Sequence, residues 1–295
     1  MAYSTIDAPV RGGTLRAGRW CPDGGSARPT VLAMHGVTAT HRSWNAVVAQ
    51  APDLDIVAPD LRGRGRSSAL PGPAGLHQHG DDMAALLDAF GLDRVVVAGH
   101  SMGALAAVVF ADDHPDRVHR LVLVDGGLPL PMPAGVSVDQ VMTATLGPAT
   151  ARLAMTFENH EAYRDFWRAH PAFTAGVDDA MGDYFDYDLV EVPGGFASSV
   201  RIDPVRDDVA SQLDPLVLTP ALERLRVPAT LLCAPRGLLD QPDALYPPEV
   251  VREWEARLAL LDVVEVDDVN HYTIVFEPRS AALVAVHLRD ATPPS

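Results

Sequence analysis

Short runs of apolar, often β-branched residues recur along the chain at Thr30 to Met34, Asp55 to Pro59, Arg94 to Ala98, Arg120 to Val124, Ala229 to Cys233 and Val263 to Val266. Each ends near a polar or glycine-rich turn, the pattern of strands buried on both faces of a sheet. Stretches with helical spacing lie between and after them: Asp81 to Phe90 with Gly91 as its stop, Met102 to Asp112, Glu249 to Leu261, and Pro278 to Leu288. Alternation of strand and helix predicts an α/β fold with a mostly parallel central sheet and helices on both faces. Gly12 to Trp20 alternates weakly and runs into Pro22-Asp23-Gly24-Gly25, so it is expected to open the sheet as an antiparallel strand.

The strand rhythm stops between about Gly126 and Arg226, where Met142, Met155, Phe157, Phe166, Trp167, Met181, Tyr184, Phe185, Tyr187 and Phe196 concentrate. This divides the chain into a core of residues 1–125 and 227–295 and an insertion of residues 126–226. A length of 295 residues, 47% hydrophobic and 21% charged, suits one large core with such an embellishment.

Charge narrows the partners. Lys and Arg number 23 against 39 Asp and Glu, a net charge of −16 with no basic run, which argues against nucleic acid and anionic membrane surfaces. Apolar runs such as Ala104 to Phe110 are too short to span a bilayer, and Met1 to Val10 lacks the pattern of a secretory leader. With only Cys21 and Cys233, far apart, the expectation is a cytoplasmic, disulfide-free protein acting on a small molecule, as monomer or homodimer.

The chemistry begins at Val95-Val96-Val97-Ala98 followed by Gly99-His100-Ser101-Met102-Gly103 and the helical Ala104 to Asp112. Strand, tight turn and helix in this order form a nucleophile elbow. Small residues two positions either side of the serine avoid collision across the turn, and Oγ projects above the sheet beside a helix N-terminus that favours negative charge. Ser101 is the candidate nucleophile.

With His35-Gly36 after one strand, Asp60-Leu61-Arg62-Gly63-Arg64-Gly65-Arg66-Ser67 after the next, and His271 beyond the last, the sequence resembles the α/β-hydrolase superfamily over nearly its whole length. The resemblance implies that His271 is the general base and that the backbone amides of Val37 and Met102 form the oxyanion hole. It further implies that residues 126–226 form a helical cap over the nucleophile, whose aromatic and methionine content suits an apolar or aromatic substrate. His100 is expected to point away from the catalytic face, and His35 to hydrogen-bond within its loop.

The third member departs from the commoner family pattern. In that pattern the acid lies just past the strand read as Ala229 to Cys233, where Ala234-Pro235-Arg236-Gly237 puts glycine in its register. Asp125, at the end of the preceding strand, is preferred because a strand end is stiffer than a loop. Asp240 remains the alternative acid, and a turn-capping role for Asp125 stays open. Thr38 is read as a substrate contact or turn cap, and Trp44 as a pocket residue or packing for the following helix. Asp178, Asp179, Asp183, Asp186 and Asp188 read as a solvated face.

Two other motifs fail. His77-Gln78-His79-Gly80-Asp81-Asp82 approximates a metal-binding run but ends in Asp where a histidine is required, and carboxylates at a helix start explain it without metal. Gly63-Arg64-Gly65 places Ser68 where a dinucleotide fingerprint has its third glycine, so Arg62, Arg64 and Arg66 read as a loop-anchoring ion-pair cluster. The expected activity is hydrolysis of a carboxylic ester or lactone through an acyl-enzyme, without cofactor or metal. Amide or carbon–carbon bond hydrolysis, cofactor-free perhydrolysis and a non-catalytic ligand receptor on the same fold remain open alternatives.

Overall fold

The computed structural model describes residues 1–25, 28–133, 135–174, 176 and 178–292, with the backbone alone at 179 and 180. Its strands are β1 (Ala2–Val10), β2 (Gly13–Cys21), β3 (Val31–Met34), β4 (Ile56–Pro59), β5 (Val95–His100), β6 (Val118–Val124), β7 (Leu189–Val192), β8 (Gly195–Ser198), β9 (Ala229–Cys233) and β10 (Leu261–Glu265). Eight of them form one sheet in the order β1-β2-β4-β3-β5-β6-β9-β10, and β7 and β8 form a separate hairpin. From β4 to β10 every pairing is parallel, whereas β1 with β2 and β2 with β4 are antiparallel.

Alternate residues of the central strands feed opposite cores, as the two-residue period of a strand requires. Leu32, Met34, Val97, Leu121 and Leu123 pack under the helices Leu76–Phe90 and Met102–Asp113 with Met83, Leu86 and Leu105. Val31, Ala33, Val96, Ala98, Val122 and Val124 pack on the other face with Val284, Ala285 and Leu288 of the helix Pro278–Ala291. Helices therefore cover both faces, and the mostly parallel α/β architecture predicted from the sequence is the one observed.

The differences have local causes. β1 is an edge strand with exposed Tyr3, Ser4, Thr5 and Asp7, so it carries almost no apolar signal. The helix expected to run from Glu249 to Leu261 ends at Arg257, because Leu261 already begins β10. Gly91 closes its helix in the left-handed conformation with φ 66°.

Between β6 and β9 the chain forms the helices His160–Arg168, Asp179–Asp188 and Ile202–Leu213 together with the β7–β8 hairpin. Its aromatic residues mostly pack on one another: Trp167 stacks on Phe185 at 5.0 Å, with Tyr163 and Phe173 edge-on to the pair. No helix of the described residues is long and apolar enough to cross a membrane.

Candidate active site

Ser101 sits between the last residue of β5 and the helix Met102–Asp113 with φ 56° and ψ −126°, a conformation L-residues avoid unless the surroundings impose it. The surroundings are backbone. A Cβ at Gly99 would strike Gly103 and Ala104, and one at Gly103 would strike the carbonyls of Met34 and His35. Both glycines of the elbow are therefore required sterically, and the Ser101 amide is fixed by donating to the Val124 carbonyl at 3.0 Å.

Asp125 follows β6 with φ 43°, its amide donating to Leu232 at 2.7 Å. Gly126 comes next because a Cβ there would overlap the Ser101 backbone. Asp125 Oδ1 accepts from the Ala234 amide at 3.0 Å, and Oδ2 accepts from His271 Nδ1 at 2.6 Å. His271 Nε2 lies 2.9 Å from Ser101 Oγ. One unbroken hydrogen-bond chain thus runs from a carboxylate that is 1% exposed to the serine hydroxyl.

His271 is held at both ends of its own backbone. Its amide donates to Arg236 at 3.1 Å, and its carbonyl accepts from His100 Nε2 at 2.8 Å. Burial pushes His100 down to about 3, so its ring is a neutral strut under the His271 loop. Asp240 stands apart from this chain: Oδ1 accepts from Arg236 Nε at 2.6 Å and from Asn270 Nδ2 at 3.0 Å. It braces the residue before His271 and makes no hydrogen bond to the imidazole.

The loop carrying Val37 is held by groups of opposite character. Neutral His35, pushed down to about 3 by burial, accepts from the Leu61 amide at 2.9 Å and donates through Nδ1 to the Gly36 carbonyl at 2.8 Å. That carbonyl belongs to the same peptide as the Val37 N–H, so the donation polarises that amide. Two buried guanidinium groups hold the next two carbonyls: Arg64 donates to Val37 at 2.7 and 2.9 Å, and Arg152 donates to Thr38 at 2.7 Å.

Both guanidiniums are charge-compensated from the segment between β6 and β9. Asp208 lies 2.5 Å from Arg64 and 2.9 Å from His79 Nε2. Burial opposes its ionisation, but Arg64 and His79 outweigh that and hold it down at about 2. Asp188 accepts from the Tyr163 hydroxyl, from Ser198 and Ser199 at 2.8 Å each, and from Arg152 at 3.3 Å. Asp188 is thus a correction to the expected solvated face: it is 3% exposed because Arg152 needs a buried counter-charge. Asp186 pairs with Arg164 and Asp178 caps the helix start at Met181, while the side chain of Asp179 lies outside the described residues.

Two small cavities meet at Ser101 and His271, one of about 40 Å³ and one of about 30 Å³. The larger is lined by Val37, Met102, Leu105, Val141, Val209 and Leu213 among others, the smaller by Thr38, Ser43, His100, Tyr184, Tyr272 and Phe276 among others. Thr38 therefore lines the site. Of the two readings of Trp44, the pocket one is corrected: Trp44 is 1% exposed, shares a core with Val47 and Val48 of the following helix, and lines neither cavity. Of the aromatic and methionine residues concentrated in the insertion, Tyr184 alone among the described residues lines either cavity. Aliphatic side chains of the same segment do the lining, a signal lost in sequence because Leu and Val are common everywhere.

The remaining sequence motifs have structural partners. Arg62 binds Asp82 at 2.7 Å and Arg66 stacks over Tyr187 at 4.6 Å, so the arginine run anchors its loop. His77 pairs with Asp113 at 2.6 Å, and no cluster of metal-ligating side chains occurs among the described residues.

Residues 29–278 match the family model for the alpha/beta hydrolase fold. The chain belongs to that family. It is 39% identical over 135 residues to lipase LipV of Mycobacterium tuberculosis, covering 44% of this chain and 50% of that protein. The aligned stretch thus spans only half of that relative's length. Among solved structures, an E-2-(acetamidomethylene)succinate hydrolase superposes with TM-score 0.79 at 20% identity, covering 97% of this chain and all (100%) of that one. The enol-lactonase of Burkholderia xenovorans superposes with TM-score 0.67 at 23% identity, over 96% of this chain and 99% of that one. Likeness at these identities is likeness of fold.

Proposed function

We propose that the protein is a serine hydrolase that cleaves a carboxylic ester or lactone with an apolar acyl portion. The observation that carries this reading is the continuous chain from Asp125 through His271 to Ser101 Oγ, opening on an aliphatic cavity. A serine hydroxyl is a weak nucleophile until a base takes its proton, and the Asp125 contact fixes the imidazole with Nε2 free to accept it.

In the proposed reaction Ser101 Oγ adds to the ester carbonyl carbon as its proton passes to His271 Nε2. The carbonyl oxygen becomes an oxyanion between the Val37 and Met102 amides. Collapse breaks the bond to the alkoxy oxygen, which leaves with the proton from His271, and the acyl group stays on Ser101. Water then adds to the acyl-enzyme, giving its proton to His271, and the acid departs as Oγ recovers that proton. In a lactone the alkoxy group stays tethered and leaves with the acid. No step calls for a cofactor.

We further propose that residues 126–226 act as the cap over this site, since Val141, Leu146, Val209 and Leu213 wall the cavity that Ser101 faces. The relationship to a mycobacterial lipase and the fold shared with an enol-lactonase support ester and lactone chemistry. A fluorophosphonate probe should label folded protein on Ser101 and leave Ser101→Ala unlabelled. A folded wild-type protein that resists labelling would overturn the reading.

A further inference from the structure

The two cavities at the serine share five lining residues: Val37, Ser101, Leu146, Leu238 and His271. Three of these belong to the proposed chemistry, which leaves Leu146 and Leu238 as the shared walls. Leu146 ends the turn Met142–Leu146, whose widened hydrogen-bonding pattern is of the kind found at functional sites. Leu238 comes from the loop after β9, directly behind Gly237, the position where the commoner family pattern has its acid. Moving the carboxylate to Asp125 has freed that loop to present a side chain to the pocket.

The lobes differ in chemistry. The larger is lined by both Val37 and Met102, whose amides are proposed to hold the carbonyl oxygen, and its aliphatic walls suit an acyl group better than the hydroxyl-bearing walls of the smaller lobe do. Its walls are the aliphatic Leu105, Leu130, Val141, Val209, Leu213 and Leu245. The smaller lobe brings Thr38, Ser43, Tyr184 and Tyr272 to the opposite side, hydroxyl-bearing residues suited to a leaving group with polar atoms. A water molecule needs roughly 10–15 Å³ of such space, and a methylene is of about the same size. The larger lobe, at about 40 Å³, is thus suited to a short acyl group.

We infer that the substrate is an ester of a short aliphatic acid, and that Leu146 and Leu238, the walls shared by both lobes, set this limit. The inference rests on the hydrolase reading above and adds the acyl class. It separates this chain from enzymes of long-chain lipids, whose acyl groups exceed the lobe several times over.

A series of p-nitrophenyl esters from acetate to decanoate tests it, with fluorophosphonate labelling of Ser101 run alongside. The wild-type kcat/KM is expected to peak at acetate to butyrate and to fall at least about 100-fold by octanoate, since even a single unaccommodated methylene costs about tenfold. Leu146→Ala and Leu238→Ala should each raise the octanoate-to-butyrate ratio by at least about tenfold, and Leu146→Phe should move the optimum towards acetate. These opposite shifts in a ratio are insensitive to the amount of folded enzyme. Equal turnover of butyrate and decanoate, or alanine variants that keep the wild-type ratio while Ser101 labels normally, would overturn the acyl limit and leave the hydrolase reading standing. Absence of both labelling and turnover would bring down the hydrolase reading and the acyl limit with it.

Discussion

The ends of β5 and β6 and the loop after β3 face each other across the same cavity, yet they are held in place by different forces. Ser101 and Asp125 stand on strand ends whose amides donate to Val124 and Leu232 in the parallel ladder, and both carry positive φ imposed by neighbouring backbone. Val37 and Thr38 lie on a loop whose carbonyls are gripped by Arg64 and Arg152, with counter-charges Asp208 and Asp188 supplied by the segment 126–226. The first arrangement depends on the sheet alone. The second makes the geometry of the proposed oxyanion hole depend on a segment that contributes no strand to that sheet. Under the proposed function, chemistry at the serine is thereby coupled to the seating of that segment.

The sheet-held half is where the largest effect is expected. Asp125→Asn keeps the side chain's size but replaces the carboxylate that fixes the His271 tautomer, and kcat should fall about 10⁴-fold. Asp240→Asn, by contrast, keeps the contact to Asn270 and loses only a half-exposed pair with Arg236, so kcat should stay within about threefold. Steady-state kinetics of the two variants on one ester decides between them. The reverse ranking would mean that the acid sits on the loop after β9 and that the strand end serves only to cap its turn.

The loop-held half is expected to respond in both stability and rate. Arg152→Met removes the donor to Thr38 and strands Asp188 as a buried carboxylate with its hydroxyl partners only, a loss of about 3–5 kcal/mol. In the fraction that stays folded, kcat should drop about tenfold with KM little changed, less than the 10²–10³ that follows loss of an oxyanion donor outright. Adding Asp188→Asn should restore much of the stability, since the uncompensated charge is gone, and should leave the rate defect in place because Thr38 is still ungripped. Urea denaturation with kinetics on the same samples separates the two. Recovery of rate together with stability would show that Arg152 acts on folding alone.

The same contrast decides what could be read in the sequence. The elbow was legible because strand, glycines and helix are adjacent in the chain, and each glycine answers a clash with a near neighbour. The six sheet strands from β3 to β10 are legible as apolar runs: β3, β4 and β5 are buried on both faces, while β6 and β10 keep a shorter apolar stretch beside His119, Arg120, Asp262 and Glu265. Arg152 gives no signal: its contact to Thr38 bridges 114 residues, and a lone arginine with no acidic neighbour in sequence reads as solvated. Asp188 was placed on a solvated face for the same reason. Most aromatic residues of the segment build its interior, as large apolar side chains ordinarily do, and leave the pocket to Leu and Val.

Acid should take the two kinds of anchoring apart in a fixed order, and near neutral pH its effect is the smallest of the three. Burial holds His35 and His100 at about 3 against an ordinary 6.5, so between those values the unfolded chain binds protons that the native protein refuses. Their contribution is complete above pH 6.5 and is lost as the pH falls, by about 1.4 kcal/mol per pH unit for each histidine. Asp208, held at about 2 against 3.8, works by the opposite route: its pair with Arg64 favours the native state above pH 3.8 and fades only as the pH drops towards 2. Urea denaturation at pH 7.5, 6, 5 and 4 should therefore show stability falling steadily below pH 6.5 while the ion pairs are still intact. His100→Gln should be less stable at pH 7.5 yet flatter in slope, because glutamine can donate to the His271 carbonyl but has no proton to gain. A slope unchanged by that substitution would place the acid sensitivity outside the strut beneath His271.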